Sequence, residues 1–130
     1  MGLDTFVGRD READEFGCTK RDLWALRRLQ RKRERANGGH CLFHRGYFRG
    51  KLYVDLVHYV TGVDLYETWI APETVEDVAE AFERLDPEET IRDFRAQGRP
   101  IYDHTAEDVA DLAALFKLCA VRGLGLVGSW

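Results

Sequence analysis

TAEDVADLAALFKLCAVRGLGLVGSW, residues 105–130, is the stretch whose reading decides the fold class. Thr105 is placed to cap a helix, and Asp108 three residues on completes a short capping box. Val109, Leu112, Ala113, Phe116, Cys119 and Ala120 then recur at three- and four-residue intervals and predict one core-facing helical side. Gly123 supplies the stop. Directly after it the period changes: Leu124, Leu126 and Trp130 alternate with Gly125, Val127 and Ser129, the pattern of a half-buried strand. A helix followed at once by a strand at the chain end predicts an α+β domain.

The same punctuation marks helices upstream. Asp86-Pro87-Glu88-Glu89 places a cap, an N1 proline and first-turn acids before Ile91 and Phe94, with Gly98 as the end. Pro72 opens a segment whose Val75, Val78, Ala79, Phe82 and Leu85 share a face. Residues 51–61 carry Leu52, Leu56, Tyr59 and Val60 at helical spacing, continued by Val63, with a stop at Gly62. Thr19 and Asp22 cap a first helix, and Asn37-Gly38-Gly39 ends it. Its apolar stripe of Leu23, Leu26 and Leu29, joined by Trp24, stops while the helix continues through the wholly polar run Gln30 to Arg35. That second half is expected to project into solvent or to meet a partner. Leu3 to Val7 reads as a short strand, Asp10 to Gly17 as loop, and residues 40–48 as a strand followed by a turn. No internal repeat or linker divides the chain. The expectation is one domain over residues 1–130, mainly helical with about five helices, and a small sheet of the two terminal strands and residues 40–48.

The 130 residues are 45% hydrophobic and 32% charged, enough apolar surface to argue against wholesale disorder. No apolar run approaches the ~18–20 residues that span a bilayer, and the first residues lack the basic and apolar regions of a signal peptide. Three cysteines, Cys18, Cys41 and Cys119, cannot all pair within one chain, so a reduced, cytoplasmic protein without membrane contact is expected. The net charge of −4 conceals opposed segments. Between Lys20 and Lys51 eleven basic residues face only Asp22 and Glu34, a balance of +9; from Asp64 to Asp111 fifteen acids face four arginines, a balance of −11. Such asymmetry points to a polyanion, a charged partner or self-association.

Several motifs lose to duller readings. Gly123 to Gly128 matches G-x-G-x-x-G, yet a dinucleotide fingerprint needs a strand before it and a helix after it, and only Ser129 and Trp130 follow. Arg45-Gly46-Tyr47 begins like an RNA-recognition signature but continues with Phe48 and Arg49. Cys18, His40, Cys41 and His44 form a Cys/His cluster without the paired elements of a zinc site, and no metal or other cofactor is assigned. Asp55 and His58 stand three apart on a predicted helix and are the best acid/base pair, but no nucleophile accompanies them. No catalytic residue is assigned, His104 reads as a capping-region residue, and Cys119 as a small core hydrophobe.

The Arg-rich helix stands above this background. Arg27, Arg28, Arg31, Lys32 and Arg35, with Arg49 and Lys51 beyond it, form a candidate electrostatic binding surface, since guanidinium groups grip carboxylate or phosphate bidentately. The competing expectation is a solvated helix whose charges pair with the acidic segment of the same chain. The preferred reading is a small non-catalytic binding or adaptor protein that meets a protein partner, or a second copy, through this helix and an opposed acidic face from Glu73 to Glu89. The alternative is a nucleic-acid-binding module on segment 20–51, with Tyr47 as a stacking residue. A third reading is an enzyme built on His40, His44 and His58 with Arg45 or Asp55.

Overall fold

The computed structural model describes residues 2–98 and 102–130. Its elements run β1 (Asp4–Gly8), α1 (Lys20–Ala36), β2 (Tyr47–Phe48), α2 (Gly50–Thr61), β3 (Trp69–Ile70), α3 (Pro72–Glu83), α4 (Pro87–Ala96), α5 (Ala106–Arg122) and β4 (Gly125–Ser129), with a short 3-10 turn at Asp14–Gly17. The fold is α+β and mainly helical, with a four-stranded antiparallel sheet in the order β2-β1-β4-β3. The two terminal strands pair along their full length, from Asp4 opposite Ser129 to Gly8 opposite Gly125.

Residues facing each other across antiparallel strands share a face. The row Val7, Leu126 and Ile70 is buried against the helices, and Thr5 and Phe48 lie on the same side. The other face carries Tyr47, Phe6, Val127 and Trp69. Phe16, brought over by the turn before α1, packs on Phe6 with ring centroids 5.2 Å apart. Because α5 leads straight into the central strand β4, its core side meets both the sheet and α3. Phe116 packs edge-on against Phe48 and Phe82 at 6.5 and 5.2 Å. Val75, Val78, Ala79, Ile91 and Phe94 of α3 and α4 complete one buried cluster with Leu112, Leu115 and Cys119.

The helix ends follow the capping chemistry of the sequence. Thr19 and Thr105 both form reciprocal capping boxes, with Asp22 and Asp108, and the Asp86 carboxylate accepts from the amides of Glu88 and Glu89. Gly62 and Gly123 end α2 and α5 in the left-handed conformation. The G-x-G-x-x-G glycines are thus a helix stop and two strand positions. A Cβ on Gly125 would lie 2.5 Å from the Ile70 carbonyl oxygen, and one on Gly128 would strike the Glu67 carbonyl. These two glycines admit the neighbouring backbone and cradle no phosphate.

Three expectations need correction. Residues 40–48 are not a strand: only Tyr47 and Phe48 pair with β1, while His44 and Tyr47 close a tight turn through Arg45, at φ 57°, and Gly46. Strand β3, two residues at the sheet edge, was absent from the expected elements. The core face of α2 is also rotated, with Tyr53, Leu56 and Val57 buried and Tyr59 exposed. Tyr59 instead lays its ring against Phe94 at 5.4 Å from solvent.

Candidate functional site: the outer face of the first helix

Helix α1 lies against α5 through a stripe of two leucines flanked by an aspartate and an arginine. Asp22, Leu26, Leu29 and Arg33 on α1 repeat the spacing of Asp111, Leu115, Leu118 and Arg122 on α5. The two stripes run in opposite directions, so each aspartate meets the other helix's arginine. Arg122 Nε donates to Asp22 Oδ1 at 2.8 Å, and Arg33 Nε donates to Asp111 Oδ1 at 2.7 Å. Leu26 and Leu115 are fully buried between the two clamps. The stripe therefore does not end at Leu29, as the apolar pattern suggested; it continues in polar residues that are satisfied by α5.

Both aspartates are buried and saturated with donors. Asp22 also accepts from Arg9 Nε at 2.7 Å, Arg9 Nη2 at 2.9 Å and the Thr19 amide at 2.9 Å. Burial alone would raise its pKa, but the Arg9, Thr19 and Arg122 hydrogen bonds outweigh burial and hold the carboxyl well below the usual carboxylate range. Asp111 accepts from Arg33, from Asn37 Nδ2 at 3.0 and 3.1 Å, and from the Leu42 amide at 3.2 Å. It thus fastens the end of α1 and the loop after it.

This geometry partitions the basic residues. Arg33 is spent inside the molecule. Lys20, Arg21, Arg27, Arg28, Arg31, Lys32 and Arg35 are exposed, and none lies within ion-pair distance of a carboxylate among the described residues. Trp24, Arg27, Arg28, Arg31 and Arg35 fall at helical spacing and line one concavity of about 390 Å³. Trp24 is 62% exposed, and the Arg28 guanidinium sits over its ring at 5.3 Å from the centroid. Arg27 and Arg31 also border a smaller recess of about 190 Å³ with Gln30, Glu34, His44 and Arg45. There Gln30 is held by His44 Nδ1 and by the Arg45 amide.

The remaining candidates stand elsewhere. Arg49 and Lys51 are exposed at the start of α2, and neither borders the α1 concavity. Tyr47 is half-buried in the outer sheet row, packed on Phe6 at 5.2 Å, and donates its hydroxyl to Asp4 at 2.9 Å. Trp24, counted at first with the apolar stripe, is the aromatic residue that joins the arginines. The signal for it was its place one turn before Arg27 and Arg28, outside the Leu26–Leu29 line.

The histidine and cysteine candidates do not share one site. His40 and Cys41 border a cleft of about 390 Å³ with Asn37, Tyr53, Asp108 and Asp111, whereas His44 faces Gln30 and Arg45. Cys18 donates to the Val7 carbonyl at 3.3 Å. Burial pushes the Cys41 thiol up to about 11, which disfavours the thiolate that metal binding or attack requires. Among the described residues no group of three or more His, Cys, Asp or Glu converges as metal ligands would. Asp55 and His58 are both exposed on α2, with no hydrogen bond or ion pair between them. His104 is buried, not merely part of a cap. It stacks against Tyr53 at 5.2 Å and Phe94 at 5.8 Å, and burial lowers its pKa despite the nearby Asp108.

The acidic segment leaves α1 largely alone. Among the described residues Asp111 alone of its carboxylates reaches an α1 cation; Glu80 pairs with Arg84 and Glu83 with Lys117. Glu73, Glu76, Asp77, Glu88 and Glu89 are exposed and pair with no cation among the described residues. No described helix is long and apolar enough to cross a membrane. Comparison with known protein families, curated proteins and solved structures finds no match to this chain.

Proposed function

We propose that the protein is a small non-catalytic binding module whose outward face of α1 docks an anionic partner. One observation carries the reading: Arg27, Arg28, Arg31 and Arg35 border a single concavity with Trp24, and none is within ion-pair distance of a carboxylate among the described residues, Glu34 nearby included. Their arrangement is unfavourable in isolation. Arg27/Arg31, Arg28/Lys32 and Arg31/Arg35 are like charges one turn apart, and Arg28/Arg31 and Lys32/Arg35 are three apart. At ~0.2–0.5 kcal/mol per pair, with the attractive Arg31/Glu34 pair offsetting one of the five, the repulsions destabilise the helix by about 0.8–2 kcal/mol at low salt. The clamps to α5 offset that penalty, and an anionic partner would remove it.

The test is retention on a phosphate-bearing matrix at low ionic strength. A chain of net charge −4 should pass such a matrix unless a local basic face engages it. Retention that disappears in Arg27→Glu/Arg31→Glu/Arg35→Glu supports the reading. Passage of the unaltered protein at low salt overturns it.

A second reading has its own support. Among the described residues no ion pair joins the acidic faces of α3 and α4 to the basic face of α1, so complementary patches remain for a second copy. Light scattering at low and moderate salt decides it: a salt-sensitive dimer supports self-association, and a constant monomer mass removes it.

A further inference from the structure

Trp24 is the feature of the α1 face that charge alone leaves unexplained. A surface meant only for carboxylates can use the N–H of a 62% exposed indole but not the flat face of its ring. Phosphates accompanied by flat aromatic groups make use of both components. We propose that this face binds single-stranded nucleic acid, with Trp24 as a base-stacking platform and Arg27, Arg31 and Arg35 on successive phosphates. The inference rests on the basic-face reading and names its ligand class.

Three points support it. Arg27, Arg31 and Arg35 are four residues apart, so they recur about every 6 Å along the helix axis, comparable with the spacing of neighbouring phosphates along one strand. Trp24 sits one turn before Arg27 and Arg28 in the same concavity, which puts a stacking surface next to the phosphate grips. Arg28 lies over the indole and can extend the stack, as guanidinium planes do beside bases. A duplex keeps its bases stacked on one another, out of reach of a side chain lying on a flat helix face, so the unpaired strand is the better fit. The acids of α3 and α4 weaken the long-range attraction for any polyanion, and binding is therefore confined to low and moderate salt.

The experiment is fluorescence anisotropy at low salt with three labelled twelve-nucleotide probes: oligothymidylate, an abasic oligomer with the same phosphodiester backbone, and a duplex. The unaltered chain is compared with Trp24→Ala and with Arg31→Glu/Arg35→Glu, each first checked for native circular dichroism. Stacking on one aromatic predicts that oligothymidylate binds at least about fivefold more tightly than the abasic oligomer. Trp24→Ala should erase that preference, so that the thymidylate and abasic oligomers bind alike, and the double charge reversal should abolish binding of both. Equal affinity for the thymidylate and abasic oligomers, or a preference that survives Trp24→Ala, overturns base stacking and leaves the basic-face reading intact. Tighter binding of the duplex overturns the single-strand assignment. Failure of all three probes to bind, with the protein still retained on phosphate matrix, refutes the nucleic-acid proposal and turns attention to an acidic protein or a second copy. Failure of both measurements removes the parent reading as well.

Discussion

Asp111→Ala should strongly destabilise the α1–α5 contact. The Asp111 carboxylate is 2% exposed and collects the Arg33 guanidinium, the Asn37 amide and the Leu42 backbone N–H. Its removal leaves Arg33, only 20% exposed, as a nearly buried cation without a partner and strands the Leu42 amide. Breaking a buried ion pair from one side destabilises by about 3–5 kcal/mol. For 130 residues the unfolding entropy is about 0.27 kcal/mol/K near the transition, so the expected fall in Tm is about 11–18 °C. Thermal unfolding followed by far-UV circular dichroism reads this directly. The paired replacement Arg33→Met/Asp111→Leu should lose less than Asp111→Ala alone, because it removes the stranded charge along with its partner. A Tm drop below about 3 °C for Asp111→Ala, or a double variant worse than the single, would refute the claim that this clamp fastens the end of α1.

Two further outcomes follow from buried groups. Asp22 has a folded pKa held well below its unfolded value of about 3.9, so its stabilisation is complete above that value and is lost as pH falls through the folded one. Asp22→Asn should therefore be less stable than the parent at pH 7, with the difference shrinking below about pH 4; a gap that stays constant down to pH 2 contradicts this. Gly125→Ala should lower stability by about 1–3 kcal/mol in urea unfolding, because its methyl group would meet the Ile70 carbonyl of the edge strand β3; an unchanged midpoint would show that β3 moves aside freely.

Most of the helical layout was legible because caps and stops are local signals. Thr19/Asp22 and Thr105/Asp108 close the boxes their spacing implied, and the two expected terminal strands pair in the sheet, a contact between chain ends that only the fold displays. What escaped depends on contacts distant in sequence. Asp111 looked like an ordinary polar position on an amphipathic helix. Leu115 and Leu118 on the same line were the sign that α5 has a second buried side, matched by Asp22, Leu26, Leu29 and Arg33. In α2 both Tyr53 and Tyr59 suit an apolar face, and only packing against Phe48 and His104 selects Tyr53. Strand β3 is too short to show any period; it pairs opposite Val127 and Leu126, flanked by Gly125 and Gly128, where a Cβ would strike the Ile70 and Glu67 carbonyls. The candidate site was half legible: the outward arginines were, but the withdrawal of Arg33 and the recruitment of Trp24 needed the α1–α5 interface.

The most direct test of the basic face is an amide NMR titration of the isotopically labelled protein with inorganic polyphosphate at low salt. The account predicts that shifts concentrate between Lys20 and Gly38, include the Trp24 indole N–H, and vanish in Arg27→Glu/Arg31→Glu/Arg35→Glu. Shifts centred on another surface, or none at all, would contradict it.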